Sequence, residues 1–414
     1  MIDFSKPKPI LIQEEMLTQV ARSIMRPIAR KYDDAEDTHA RPWEYINAIW
    51  LGQKMRRGGA SKAKKGPAIE HQMSMHVIER LSYGDAGLYL SSPGGGLGGA
   101  AVRAAGTPEQ QKRFLARFKG DTPVWGAMAM TEAHAGSDTS AIRTRATLSE
   151  DGSEWILNGE KIFVTSGLMA AQDSDGILVV WATVDPSLGR AGMKAFVVEA
   201  KTPGMKVSKL EKKMGIRTSD TAAIHFDNCR IPLENVLGNP EMAKPGNIRG
   251  KQSKQGFKRA MATFDATRPA VAAGAIGIGN ATLEFVENYL SKQGVTIRYG
   301  APYQQQTAVE RDFIRMQAEL KAAWMLTIKA AWMMDNKQPN SLESSMCKVK
   351  AGEAVTWVTQ KAVEIMGPEG YSTKHLVEKW MRDAKINDIY EGTGQVNRMI
   401  VARNILGYRS SQLR

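Results

Sequence analysis

Residues Gly176 to Val184 read GILVVWATV, a short apolar run rich in β-branched and aromatic side chains and closed by Asp175 and Asp185. A run of this length, stopped on both sides by turn formers, reads as a strand rather than a helix. Further runs of the same kind lie around it at Ile162–Ser166 (IFVTS), Lys194–Ala200 (KAFVVEA) and Ala222–Ile231 (AAIHFDNCRI), separated by Gly, Pro, Asp and Asn. A packed β unit is therefore expected over residues 122–240.

On either side the apolar period changes to that of helices. Before the β unit, Met16, Val20, Ile24 and Ile28 recur at helical spacing, and a Gly/Lys-rich stretch from Gly58 to Gly66 punctuates the region. After it, beyond a polar loop through Pro245, Gly250 and Gly256, helices are expected in ATRPAVAAGAIGIGNATLEFVENYL, from Thr307 to Met334, from Leu342 to Met366 and from Lys374 to Leu406. The expected class is α+β: a helical unit (1–121), a β unit of barrel or sandwich type (122–240) and a C-terminal helical bundle (241–414).

Composition narrows the function class. The chain has 414 residues, 43% hydrophobic and 24% charged, a balance that excludes a disordered or fibrous protein. Its net charge of +13 draws phosphate-bearing partners, whether a coenzyme, a nucleic acid or a membrane surface. The basic clusters at Lys62–Lys65 and Arg249–Arg259 lack the interleaved aromatics of a single-strand binder, so no nucleic-acid partner is expected. Cys229 and Cys347 are too few for a disulfide framework and have no metal-ligand spacing, so they are expected to be reduced core thiols, with no metal. The start, MIDFSKPKPILIQEE, has no signal-type apolar stretch, and no run of about 18 apolar residues exists for a membrane span, so a cytoplasmic protein is expected.

Three segments carry chemistry. Ala129–Ala141, AMTEAHAGSDTSA, offers Thr131, Ser137 and Asp138 beside small residues that let a ligand approach the backbone, although the same composition makes ordinary turns. In Trp155–Gly167, WILNGEKIFVTSG, strand-like runs flank an Asn-Gly pair, which predicts a hairpin with Phe163 and Thr165 on one face of its second strand. That face suits a flat heteroaromatic ring or core packing. In Asp388–Gln395, DIYEGTGQ, Glu391 stands beside apolar Ile389 and Tyr390 and just before a helix. Poor solvation there would raise its pKa toward that of a general base, while a partner of the helix dipole is the alternative.

Taken in order, AMTEAHAGSD, NGEKIFVTSG, KMGIRTSDTAAIHFDNCRIPLENVLG, FDATRPAVAAGAIGIG and MRDAKINDIYEGTGQ resemble the acyl-CoA dehydrogenase family across nearly the whole chain. The resemblance implies an N-terminal helical domain, a middle β domain and a C-terminal four-helix bundle, with FAD between the last two. It implies that Met128, Met130, Thr131, Gly136 and Ser137 meet the flavin ring and ribityl chain and that Phe163, Val164 and Thr165 cover the ring's other face. The family often has Trp where this chain has Phe163. Asp265, Thr267 and Arg268 match the segment beside the CoA chain and catalytic loop, Ser137 and Gly392 match positions touching the thioester, and Arg403 belongs to the implied substrate set. Thr393 and Gln395 would approach the FAD phosphate and sugar. Glu391 stands where many members keep the base, and its backbone N–H would bind the thioester oxygen.

The resemblance also implies an acyl-CoA substrate, a trans-2-enoyl-CoA product and an electron-transfer flavoprotein as acceptor. Acyl-CoA oxidase and enoyl-CoA reductase are the alternatives within the fold. A nucleic-acid or membrane-surface binder that retains the fold is the alternative from another class.

Departures from the family fall where one subunit meets its neighbour's FAD. The Arg-x-x-Phe-Gly stretch becomes Thr296-Ile297-Arg298-Tyr299-Gly300, a nearby Gln becomes Thr307, and Gln-x-x-Gly-Gly-x-Gly becomes Glu364-Ile365-Met366-Gly367-Pro368-Glu369-Gly370. Two assemblies are expected with equal weight: a homotetramer in which Arg298 takes over, or an α2β2 heterotetramer with a paralogous subunit. The basic insertion at 247–258 (NIRGKQSKQGFK) would be a solvated loop or meet CoA phosphates, and PGGGLGG at 93–99 would leave room for a long or bulky acyl group.

Overall fold

A computed structural model describes residues 6–36, 40–58, 69–238, 255–408 and 412. The basic stretches at 62–65 and 247–254 lie outside them. Helices open the chain: α1 (Lys8–Val20), α2 (Arg26–Asp34), α3 (Trp43–Gly58), α4 (Glu70–Gly84), α5 (Ala86–Leu90), α6 (Gly96–Ala105) and α7 (Pro108–Leu115). Seven strands follow among the described residues, β1 (Gly126–Ala129), β2 (Arg145–Leu148), β3 (Glu154–Thr165), β4 (Ile177–Thr183), β5 (Met193–Glu199), β6 (Met205–Leu210) and β7 (Thr221–Pro232). The chain then returns to helices: α8 (Gln255–Lys292), α9 (Ala308–Asp335), α10 (Ser341–Met366), α11 (Pro368–Tyr371), α12 (Val377–Ala384) and α13 (Gly394–Leu406). The class is α+β, with a curled sheet between helical ends.

The sheet runs β1-β4-β2-β3-β7-β6, with β5 paired to β4. Strand β4 is buried along its whole length, as its unbroken apolar sequence requires.

Three expectations about local structure are corrected. Asn158-Gly159 is no hairpin turn: both residues lie inside the continuous strand β3, at a register shift against β7. Gly159 has φ +142°, and a Cβ there would lie 2.7 Å from Thr144 Cα, so this glycine serves a bulge and a close approach rather than a turn. The segment 374–406 is not one helix but α12 and α13, parted by the turn that carries Glu391. The opening helices form, but on a different face: Ile10, Leu17, Ala21, Met25 and Ala29 are buried, while Met16 is 49% exposed. A π-helical turn at Ala21–Met25 supports this four-residue spacing.

Of the glycines at 94–99, Gly96 and Gly98 pack closely against β1, whereas a Cβ on Gly94 would meet nothing within 4 Å. A Cβ on Gly98 would meet Ala127 O at 2.6 Å and Ala127 N at 2.8 Å, so this glycine seats α6 against β1.

Helix α8 is long and apolar enough to cross a membrane by composition, yet 67% of its most apolar window is buried in the protein. Packing among α4, α9 and α10 accounts for it. Cys229 and Cys347 are buried free thiols, and no cluster of metal-ligand side chains exists among the described residues.

Candidate active site

The turn between α12 and α13 is held in an unusual shape. Glu391 and Gly392 both take left-handed backbone angles, φ +58° and +87°. A non-glycine residue there is costly and must be held by its surroundings. Arg268 Nε donates to Glu391 O at 3.3 Å, Lys348 Nζ to Gly392 O at 2.6 Å, and Asn397 Nδ2 to the same oxygen at 2.7 Å. Thr393 caps α13 by accepting from Val396 N, so the helix begins directly after the turn.

The Glu391 side chain points to α8. Thr267 Oγ1 donates to its Oε2 at 2.6 Å. The residue keeps some exposure, but burial of the carboxylate raises its pKa above the usual range, opposed by the Thr267 hydrogen bond and by the charges of Arg268 and Lys348. Burial also pushes Lys348 down to about 8, against the pull of Asp388 and Glu391.

The sequence of α8 builds this corner. Pro269 lies inside the helix and lacks the N–H that would bond the Asp265 carbonyl. Ser344 Oγ of α10 supplies the missing bond, 2.8 Å from Asp265 O. Ser341 Oγ donates to Asp265 Oδ1 at 3.1 Å, and Arg268 bridges Asp265 Oδ1 at 2.9 Å and Ser345 Oγ at 3.3 Å. Burial raises the Asp265 pKa in spite of Arg268 and Ser341.

Ser341, Ser344, Ser345 and Lys348 did not stand out in the sequence. Their signal is a polar stripe at helical spacing along one face of a buried helix. The backbone N–H of Glu391 donates to no acceptor among the described residues.

A second group lies at the end of the sheet. Phe163 is 59% exposed although its strand neighbour Val164 is buried at 1%, and it takes φ +57° at a register shift between Lys161 and Val164. Thr165, half-buried, flanks Val164 on the other side. Met128 of β1 and Met130 are buried, Thr131 is half-buried, and Gly136 and Ser137 are exposed. The hydroxyls of Thr131, Ser137 and Thr165 make no hydrogen bond among the described residues. An open aromatic face and uncommitted hydroxyls fit a flat ring with polar edges.

The remaining residues are more distant or committed. Gln395 is exposed in the first turn of α13, whereas Arg403 lies in its last turn, about 12 Å further along the helix axis at the usual rise. Arg298 is bound to Glu310 at 2.7 Å and to Gln305 O at 2.9 Å, and Thr307 caps α9 in a box with Glu310.

Sequence models of the acyl-CoA dehydrogenase middle domain and C-terminal domain match residues 127–229 and 254–406. This chain belongs to the acyl-CoA dehydrogenase family. An acryloyl-CoA reductase (NADH) of Anaerotignum propionicum is 32% identical over 98% of this chain and 96% of its own length. Butyryl-CoA dehydrogenase of Megasphaera elsdenii superposes with a TM-score of 0.82 at 31% identity, covering 98% of this chain and all 100% of that one. A chain of the structure of the electron transferring flavoprotein of Acidaminococcus fermentans superposes with a TM-score of 0.81 at 32% identity, covering 98% and 100%. This family member is an oxidoreductase, and its cofactor is FAD. The residues around Phe163 and Thr131 fit that group.

Proposed function

We propose that this acyl-CoA dehydrogenase family member interconverts a short acyl-CoA thioester and its trans-2-enoyl counterpart, with Glu391 as the base. The observation that carries the reading is a carboxylate made more basic by burial, on a turn whose own N–H is uncommitted. Glu391 takes the proton from the carbon next to the thioester, and the C–H electrons form the new double bond as hydride leaves the β-carbon. The Glu391 N–H meets the thioester oxygen as it gains charge, a contribution of a few kcal/mol per donor in comparable sites. Bound FAD supplies the hydride acceptor.

Ser137 and Gly392 are assigned to the thioester, and Asp265, Thr267 and Arg268 hold the base and its loop. Met128, Met130, Thr131, Gly136, Phe163, Val164 and Thr165 are assigned to the flavin ring, Thr393 and Gln395 to the remainder of FAD. Arg403 keeps its place in the substrate set and Arg298 its place toward a neighbouring subunit's FAD, provided that it leaves Glu310.

A short acyl group is supported by the acryloyl-CoA and butyryl-CoA names of the relatives. The first of those relatives, matched end to end, also favours catalysis in the reducing direction. By microscopic reversibility Glu391 then donates the α-proton. An electron-transfer flavoprotein is the proposed redox partner, in a homotetramer or with a paralogous chain. Purified protein is titrated anaerobically with acyl-CoA esters of increasing length while flavin absorbance is followed. Bleaching by three- and four-carbon esters supports the reading; no bleaching by any ester overturns it.

A further inference from the structure

The sheet ladder does not set the spacing between the two segments around the proposed flavin face. Strands β1 and β3 are separated in the sheet by β4 and β2, and yet Met130–Thr131, just past β1, lie beside Lys161–Ile162 of β3. Their backbone link is Ile162 N donating to Thr131 O at 2.9 Å.

Beneath it lies an ion pair. Lys161 is 0% exposed and Glu132 5% exposed. The Lys161 ammonium donates to Glu132 Oε1 at 2.7 Å and to Met130 O at 2.9 Å. The Glu132 carboxylate also accepts from Arg143 N at 2.7 Å and from Thr144 N at 3.0 Å, which folds the far end of the loop onto the same point.

Two charges withdrawn from water this completely are a costly way to gain stability alone, and apolar replacements of such pairs are often tolerated. What apolar groups lack is direction. The ammonium binds a carbonyl on one segment from a lysine on the other, so it fixes both the gap and the register between them. The next-but-one residue after Lys161 is Phe163, whose left-handed backbone opens its ring to solvent.

We propose that Lys161 and Glu132 are a positioning pair: a buried strut that sets the width of the flavin slot between the Thr131 loop and the Phe163–Thr165 segment without touching the flavin. The inference rests on the reading of this face as the flavin site. It adds a role for two residues that neither face the slot nor take part in proton transfer.

The test is the double variant K161M/E132Q, which removes both charges together. Its expected behaviour is a urea midpoint close to wild type in excess FAD, FAD bound roughly tenfold more weakly or worse, as is usual for residues that orient a binding shell, and faster exchange of the Ile162, Arg143 and Thr144 amides. Wild-type FAD affinity with unchanged amide exchange overturns the strut. If that variant does not fold, E132D decides on the same readouts, because it keeps both charges and shortens the strut. A wild-type chain that binds no FAD even with a paralogous partner present contradicts the functional reading instead, and amide exchange then decides the strut alone.

Discussion

The hydroxyl of Thr267 lies within reach of three acceptors: Glu391 Oε2 at 2.6 Å and the carbonyls of Thr263 at 3.1 Å and Phe264 at 3.4 Å. One hydroxyl has one proton. When Glu391 is ionised the proton belongs with the carboxylate, and when Glu391 is protonated it can turn to Thr263 O while the oxygen accepts from Glu391. The base therefore keeps a partner in both states. In T267V the ionised form loses its donor, and the Glu391 pKa rises further. The rate of flavin reduction should fall about tenfold on the acid side of the profile and recover toward wild type as pH rises, with T267S close to wild type. A pH–rate profile of T267V parallel to wild type would contradict this.

Lys348 acts through Gly392, whose carbonyl it binds at 2.6 Å. Replacing it by Met leaves Asn397 as the remaining side-chain donor and removes a positive charge that favours ionised Glu391. Steady-state kinetics of K348M should show kcat roughly ten- to a hundredfold lower with KM little changed. A raised KM with normal kcat would assign Lys348 to substrate instead.

Pro269 and Ser344 are a matched pair, because Ser344 bonds the carbonyl that Pro269 leaves without a donor. S344A should cost about 1–2 kcal/mol in chemical unfolding. P269A restores a backbone N–H at that point, so the double variant P269A/S344A should recover much of the loss. Strict additivity of the two changes would count against the pairing.

The elevated pKa of Glu391 has a consequence for stability. Between the unfolded value of 4.5 and the higher folded value the folded chain binds more protons than the unfolded one. Stability from this group is therefore present below the unfolded pKa and is lost as pH rises through the folded pKa. At neutral pH and above, E391Q should be more stable than wild type, by on the order of 1 kcal/mol, as is common when a functional group is neutralised. Thermal melts of the two proteins across pH decide it.

The sequence was most legible where apolar period was long or unbroken. Strand β4 and helices α9 and α10 follow directly from such periods. Glycines are less legible, since Asn158-Gly159 looks like a turn but serves a bulge, and Gly98 gives no sequence sign of its helix–strand contact. A glycine reports that space is scarce or that φ is unusual, and only tertiary structure tells which. Glu391, Thr267, Arg268 and Asp265 were found through motif order, and the structure brings them together. Ser344, Lys348, Lys161 and Glu132 were not found, because a buried polar residue looks like a surface one until its partner is known.

The assembly has its own readout. Arg298 is held by Glu310 and by a carbonyl, so reaching toward another subunit requires it to break that pairing. If a paralogous chain completes the FAD site, protein purified alone should hold well under one FAD per chain, and adding the partner should restore it. Full occupancy in the lone chain would rule out an obligatory partner.

The central claim is that Glu391 moves the α-proton. Mixing E391Q with butyryl-CoA anaerobically in a stopped-flow spectrometer tests it most directly. The account predicts that E391Q retains FAD and its visible spectrum while flavin reduction slows by roughly a thousandfold or more. Flavin bleaching in E391Q at the wild-type rate would contradict it.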